Sequence, residues 1–303
     1  MNRRIAFSTN AFTSGRYTVE DALRIIKDVG YAGAEILADR PHVWVPEVTS
    51  EEAASLKALL EELDLQVSNL NANTASGFFG KRTAPPGQTF GPSFTSTRMD
   101  YPGCPVHPAA WRVEYTCKCI EFASVIGAPN VSVSSGIPSP HVSRSKLWGQ
   151  VVDCFSACAE KAAEHGIYLT VEYEPGMLVG AAADCIELVR DVGNEYLGVN
   201  FDIGHSYVIP GEDVIEAIKA LGQLIRGTHV EDIAGPTPEE HLEPGHLIPG
   251  EGAMPLREIL SALERIGYQG YYTVELYTYA KPGKDPEYAA AESFRRMLDL
   301  LPS

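Results

Sequence analysis

No stretch of this 303-residue sequence holds the roughly 18 unbroken apolar residues of a membrane helix, so no membrane partner is expected. The start, Met1-Asn-Arg-Arg-Ile-Ala-Phe7, runs directly into a strand-like segment, and a soluble cytoplasmic protein is expected. Basic charge is scarce, with 24 Lys and Arg against 40 Asp and Glu and a formal net charge of −16. A surface of that sign repels a phosphate backbone, which argues against a nucleic-acid partner. It suits a small neutral substrate, or a cation that offsets a local acidic cluster. Cysteine is also sparse, and Cys117, Cys119, Cys154, Cys158 and Cys185 fall inside helix-like segments. There they read as small buried apolar residues rather than a disulfide frame or zinc knuckle. A Gly-rich phosphate loop is missing too. The first strand is followed by Thr9-Asn-Ala-Phe-Thr-Ser-Gly15, which lacks the fingerprint an open doubly wound sheet would carry there.

What is present is alternation. Short β-branched or apolar runs occur at Ile5–Ser8, Gly33–Leu37, Val67–Asn71, Asn130–Ser134, Tyr168–Glu172, Gly198–Asp202, Gly227–Glu231 and Tyr272–Leu276. Each is followed by a longer segment of helical periodicity, and several of these end at a glycine (Gly30, Gly127, Gly166, Gly267) suited to a helix cap. Eight such units predict a (β/α)8 TIM barrel, an α/β fold with a parallel sheet closed on itself, as one domain over 1–303. The regularity breaks at about 72–107, a Gly/Pro/Ser/Thr-rich insertion carrying Lys81, Arg82, Phe90, Phe94, Arg98 and Tyr101. It leaves the third strand on the face where barrels place their chemistry, and a lid over the mouth is the expected role.

The later strands end in chemistry. The run Gly198-Val-Asn-Phe-Asp-Ile-Gly-His-Ser-Tyr207 passes from apolar filler to an acid and then an imidazole. Strand five ends at Glu172, strand seven carries His229 and Glu231, and strand eight carries Glu275. In a barrel these positions meet at one rim. Clustered carboxylates stay ionised only beside a counter-charge, and a divalent cation supplies it. Oxygen donors with one imidazole favour six-coordinate Mn²⁺, Mg²⁺ or Co²⁺ over a closed tetrahedral Zn²⁺ site.

These pieces, Val-Glu172, Phe-Asp202-Ile-Gly-His205, Thr-His229-Val-Glu-Asp, the loop His246-Leu-Ile-Pro-Gly-Glu251-Gly and Val-Glu275, resemble the sugar phosphate isomerase/epimerase superfamily of xylose isomerase-like barrels. The likeness is greatest to its single-metal ketose 3-epimerase branch. The resemblance implies a metal quartet of Glu172, Asp202, His229 and Glu275, with one divalent ion, Mn²⁺ foremost, and His205 touching substrate hydroxyls. Glu172 and Glu275 are then the proton-moving pair. His246 and Glu251, in the loop after strand seven, are further candidates for substrate contact, while the composition Pro249-Gly-Glu-Gly252 also suits a plain turn. Glu231, on the same side of its strand as His229, is expected to support the ligands from behind.

The expected function is a metal-dependent isomerase or epimerase of a small ketose, keto-sugar or cyclitol, working through an enediolate. A lyase or dehydratase of the same superfamily, of inosose, 3-dehydroshikimate or 3-keto-glycoside type, shares the first proton abstraction and is the alternative. An endonuclease IV-like enzyme fits poorly. That branch needs metal histidines where this chain has Ser68-Asn-Leu-Asn71 and Ser132-Val-Ser-Ser-Gly136, and an aspartate where it has Pro244. A non-catalytic carbohydrate-binding barrel is the remaining reading. The ketose 3-epimerase branch carries an arginine six residues after the metal histidine, where Gly235 stands here, and a second glutamate where Leu178 stands. Substrate handling is therefore expected to differ from that branch. The expected partner is a small carbohydrate, and the expected assembly a homo-oligomer, dimer or tetramer.

Overall fold

The computed structural model of the chain describes residues 4–72, 109–136, 138, 141–243 and 245–301. Within them, β1 (Ile5–Ser8), β2 (Gly33–Leu37), β3 (Gln66–Asn71), β4 (Asn130–Ser134), β5 (Tyr168–Glu172), β6 (Leu197–Asp202), β7 (Ile225–Val230) and β8 (Tyr272–Val274) pair in parallel in sequence order. The first strand pairs with the last, so the sheet closes into a TIM barrel. The 72–107 insertion expected as a lid lies, apart from Ala72, outside the described residues.

The strands are buried on both faces, which is why their sequences read as runs rather than strict alternation. Register then decides which ends meet. His229 of β7 pairs with Asp202 of β6, and Ser8 of β1 pairs with Glu35 of β2. On β6, close approach demands glycine, because a Cβ at Gly198 would stand 2.5 Å from Arg226 Cγ and 2.9 Å from the Leu224 carbonyl oxygen.

The α-helices among the described residues are α1 (Val19–Val29), α2 (Ser50–Glu62), α3 (Ala109–Ile126), α4 (Arg144–His165), α5 (Ala182–Val192), α6 (Ile203–Val208), α7 (Val214–Leu221), α8 (Pro238–Leu242), α9 (Leu256–Arg265) and α10 (Pro286–Leu300). Their starts follow local chemistry. Thr18 with Asp21, and Thr49 with Glu52, form reciprocal capping boxes that satisfy otherwise orphaned N–H groups. α9 shows why such helices dock: Leu256, Ile259, Leu260 and Leu263 fall on one stripe and are all buried. Each contributes about 1.5–3 kcal/mol of apolar burial.

Two short helices depart from the sequence-based expectation. The segment after Asp202, to which the eight-unit alternation assigns no helix, forms α6 with Asp202 as its cap, and α8 forms inside the loop after β7. Strands seven and eight also stop one and two residues earlier than expected, so Glu231 and Glu275 stand just beyond them at the rim.

Candidate functional site

His229 is the hub. Fully buried at the end of β7, its Nδ1 lies 2.9 Å from Glu172 Oε1, 3.7 Å from Asp202 Oδ2 and 3.7 Å from Glu275 Oε2. Ligand atoms of Glu172, Asp202, His229 and Glu275 all fall within 4.8 Å of one another, and all four residues are buried. Strands β5, β6 and β7 and the end of β8 thus bring the four sequence-selected residues to one point.

Each carboxylate is aimed by its surroundings. Asp202 Oδ1 accepts the His205 backbone N–H at 2.7 Å, which leaves Oδ2 turned inward, buried and without a hydrogen-bond partner among the described residues. Glu275 Oε1 accepts from Asn10 Nδ2 at 2.8 Å and Asn71 Nδ2 at 3.2 Å, so its Oε2 faces the centre. Among the described residues, the basic groups within ion-pair reach of Asp202 and Glu275 are all imidazoles, which carry charge only when protonated.

The electrostatics follow from packing acids without water. Burial pushes Glu275 well above the ordinary carboxylate range, and burial raises Glu172 in the same direction. Burial also opposes the charge on Asp202, but the imidazoles of His205, His229 and His246 overcome it and hold this group well below its usual value. Burial likewise disfavours charge on His229. The surrounding Glu275, Glu35 and Glu172 outweigh that and raise its pKa well above the usual imidazole value. His229 alone is shared by Glu35, Glu172, Asp202 and Glu275, so the cluster is short of positive charge, and a cation at its centre is the group these donors fit. Glu172, Asp202, His229 and Glu275 are the residues that can hold it.

A second layer faces the first. His205 on α6 has Nδ1 3.0 Å from the Tyr173 carbonyl oxygen, and His246 has Nδ1 2.9 Å from the Glu275 carbonyl oxygen. His241 of α8, half-buried, places Nε2 3.3 Å from His246 Nε2, with its ring 4.7 Å from that of His205. Burial depresses the His246 ring to about 4, so at neutral pH it is an uncharged hydrogen-bonding group. Gly235, six residues after His229, lies under Glu240, whose carboxylate oxygens would sit 2.4 Å from a Cβ there. Glu231 is buried behind the ligands, its Oε1 accepting the Gly204 N–H at 2.6 Å. Glu251, a candidate either for substrate contact or for a plain turn, does not join the cluster. It stands at the surface and pairs with Arg296 of α10 at 3.3 Å.

Sequence reasoning missed several residues. Glu35, in the middle of β2, is fully buried and stands against His229, and Asn10, Asn69, Asn71 and His241 complete the surroundings. The available signal for Glu35 was an acid inside the apolar run Gly33-Ala-Glu-Ile-Leu37. For Asn69 and Asn71, it was polar side chains in strand three, where apolar ones are the norm.

Residues 23–300 match the family model described as xylose isomerase-like TIM barrel. The chain is 27% identical over 300 residues to a fructoselysine 3-epimerase from Shigella flexneri, spanning 97% of this chain and 98% of that one. Among solved structures, the IolI protein with a bound zinc atom superposes with a TM-score of 0.76 at 18% identity, covering 99% of this chain and 98% of that one. An L-ribulose 3-epimerase superposes with a TM-score of 0.74 at 18% identity, covering 99% and 94%. At these identities the two structures speak to the fold alone.

Proposed function

The chain belongs to the xylose isomerase-like TIM barrel family, and from that premise we propose that it is a divalent-metal-dependent sugar epimerase or isomerase acting on a ketose or ketose derivative. The observation that carries this reading is the convergence of Glu172, Asp202, His229 and Glu275 within 4.8 Å, buried at the mouth of the barrel. When bound there, a divalent cation would polarise a substrate carbonyl and acidify the neighbouring C–H.

The remaining work falls to side chains of this chain. Glu172 and Glu275 approach the centre from non-adjacent strands, a placement that suits removing a proton from one side of a carbon and returning one from the other. Their raised pKa values bring them closer to neutrality than free carboxylates, which favours proton transfer in both directions. Asp202, held ionised, binds without exchanging a proton. His205, His241 and His246 form a polar wall suited to hydroxyl groups. The near full-length match to a fructoselysine 3-epimerase supports a ketose carrying a substituent, with the reaction at the carbon next to the carbonyl.

The test is a screen of ketoses and ketose–amine adducts in D2O with added Mn²⁺, read by NMR. Deuterium at the carbon beside the carbonyl, with unchanged connectivity and an inverted centre, is the expected result. An ultraviolet-absorbing enone would make the protein a lyase instead. Absence of exchange across all substrates, with metal bound, would remove the proposal.

A further inference from the structure

Glu35 does not face the centre of the quartet. It lies on the far side of His229, with Oε2 2.6 Å from His229 Nε2. Both its oxygens are fully occupied. Oε1 accepts from Ser8 Oγ at 2.7 Å and Asn71 Nδ2 at 3.2 Å, and Oε2 accepts from Asn69 Nδ2 at 2.8 Å besides the imidazole. These donors come from β1, β3 and β7, and the residue is fully buried. The carboxylate can neither rotate nor take another partner, so it is ruled out as a ligand and well suited as a fixed acceptor.

We infer that Glu35 is the positioning residue of the metal site: it fixes the His229 ring with the proton on Nε2 and so presents Nδ1 as the only nitrogen that can bind metal. The inference rests on the metal site proposed above. Its physical basis is that an ionised carboxylate only accepts, so the nitrogen facing it must carry hydrogen. The opposite nitrogen faces three oxygens, at 2.9, 3.7 and 3.7 Å, and is the one whose proton a cation displaces. The Asn200 amide is 3.3 Å from both ring nitrogens and so favours neither tautomer. The choice is left to Glu35. An acceptor of this kind also raises the electron density of the ring, and its removal typically weakens a metal site 10- to 100-fold.

The experiment uses the full chain, labelled with 15N-histidine and loaded with 113Cd²⁺. In the wild type, cadmium coupling is expected at Nδ1 of His229, with a proton retained on Nε2. In Glu35→Gln, a chelator competition titration should show Cd²⁺ affinity falling 10- to 100-fold, with the circular dichroism spectrum unchanged. Coupling at Nε2 in the wild type would overturn the role of Glu35, as would a Glu35→Gln affinity within threefold of wild type. If the variant does not fold, the wild-type spectrum decides alone. A wild-type chain that binds no Cd²⁺ would instead remove the metal site itself, which separates the failure of that reading from the failure of this one.

Discussion

Asp202 joins the cap of a helix to the centre of the site: Oδ1 accepts the His205 N–H at 2.7 Å, while Oδ2 stands 3.7 Å from His229 Nδ1. The two jobs can be separated. Asparagine caps a helix about as well as aspartate, so Asp202→Asn should keep α6 and lose the anionic ligand. Equilibrium dialysis should find far less than one metal per chain, with helix content unchanged. Asp202→Ala loses both, with about 1 kcal/mol from the cap alone. Full metal occupancy in the Asn variant would take Asp202 out of the ligand set.

Glu172→Gln and Glu275→Gln preserve size and one oxygen donor while removing the base. Each should lower turnover on the order of 10²- to 10⁴-fold. With a single substrate epimer, the variant lacking the abstracting group should stop C–H exchange with D2O. The variant lacking the returning group should still exchange without net inversion. Two variants that both invert at near wild-type rates would move the search for the base to His205, His241 and His246.

Gly204, in the first turn of α6, touches the carboxylate behind the ligands. A Cβ there would sit 2.3 Å from Glu231 Oε1 and 3.1 Å from Ile233 Cγ1. Glu231 is fully buried and bonded to the Gly204 N–H, so it has no room to retreat without losing that bond. Gly204→Ala should therefore destabilise the chain by about 1–3 kcal/mol and weaken metal binding. A urea midpoint equal to wild type would show that Glu231 has space this packing denies.

Acid should destabilise the chain through buried neutral imidazoles. Burial lowers His42 to about 4, as it does His246, against 6.5 for the unperturbed ring. Between those values the unfolded chain takes up protons that the folded chain does not. Stability therefore falls as pH drops through this window, by up to about 1.4 kcal/mol per pH unit for each group, and levels off below it. His42 lies outside the quartet, so His42→Gln isolates the effect. The melting temperature of the variant relative to wild type should rise between pH 7 and pH 4.5, and a constant difference would mean the ring titrates normally.

By itself the sequence determined the barrel, because eight apolar runs alternating with amphipathic stripes such as Leu256, Ile259, Leu260 and Leu263 have few other ways to bury their surface. It also pointed to Glu172, Asp202, His229 and Glu275, which stand at strand ends where an acid or imidazole interrupts apolar residues, and which the family resemblance singled out from their polar neighbours. Only the tertiary structure decided what surrounds them. Glu35 and His229 are 194 residues apart, and Asn10 and Glu275 are 265 apart; closure of β1 against β8 makes such pairs neighbours. Both faces of a barrel strand are buried, so the alternation that reveals inside from outside elsewhere says nothing about an acid in mid-strand. His241 and Glu251 show the same limit for loops. Composition marks both as polar, but the short helix α8 turns His241 inward, while Arg296 of α10 holds Glu251 at the surface.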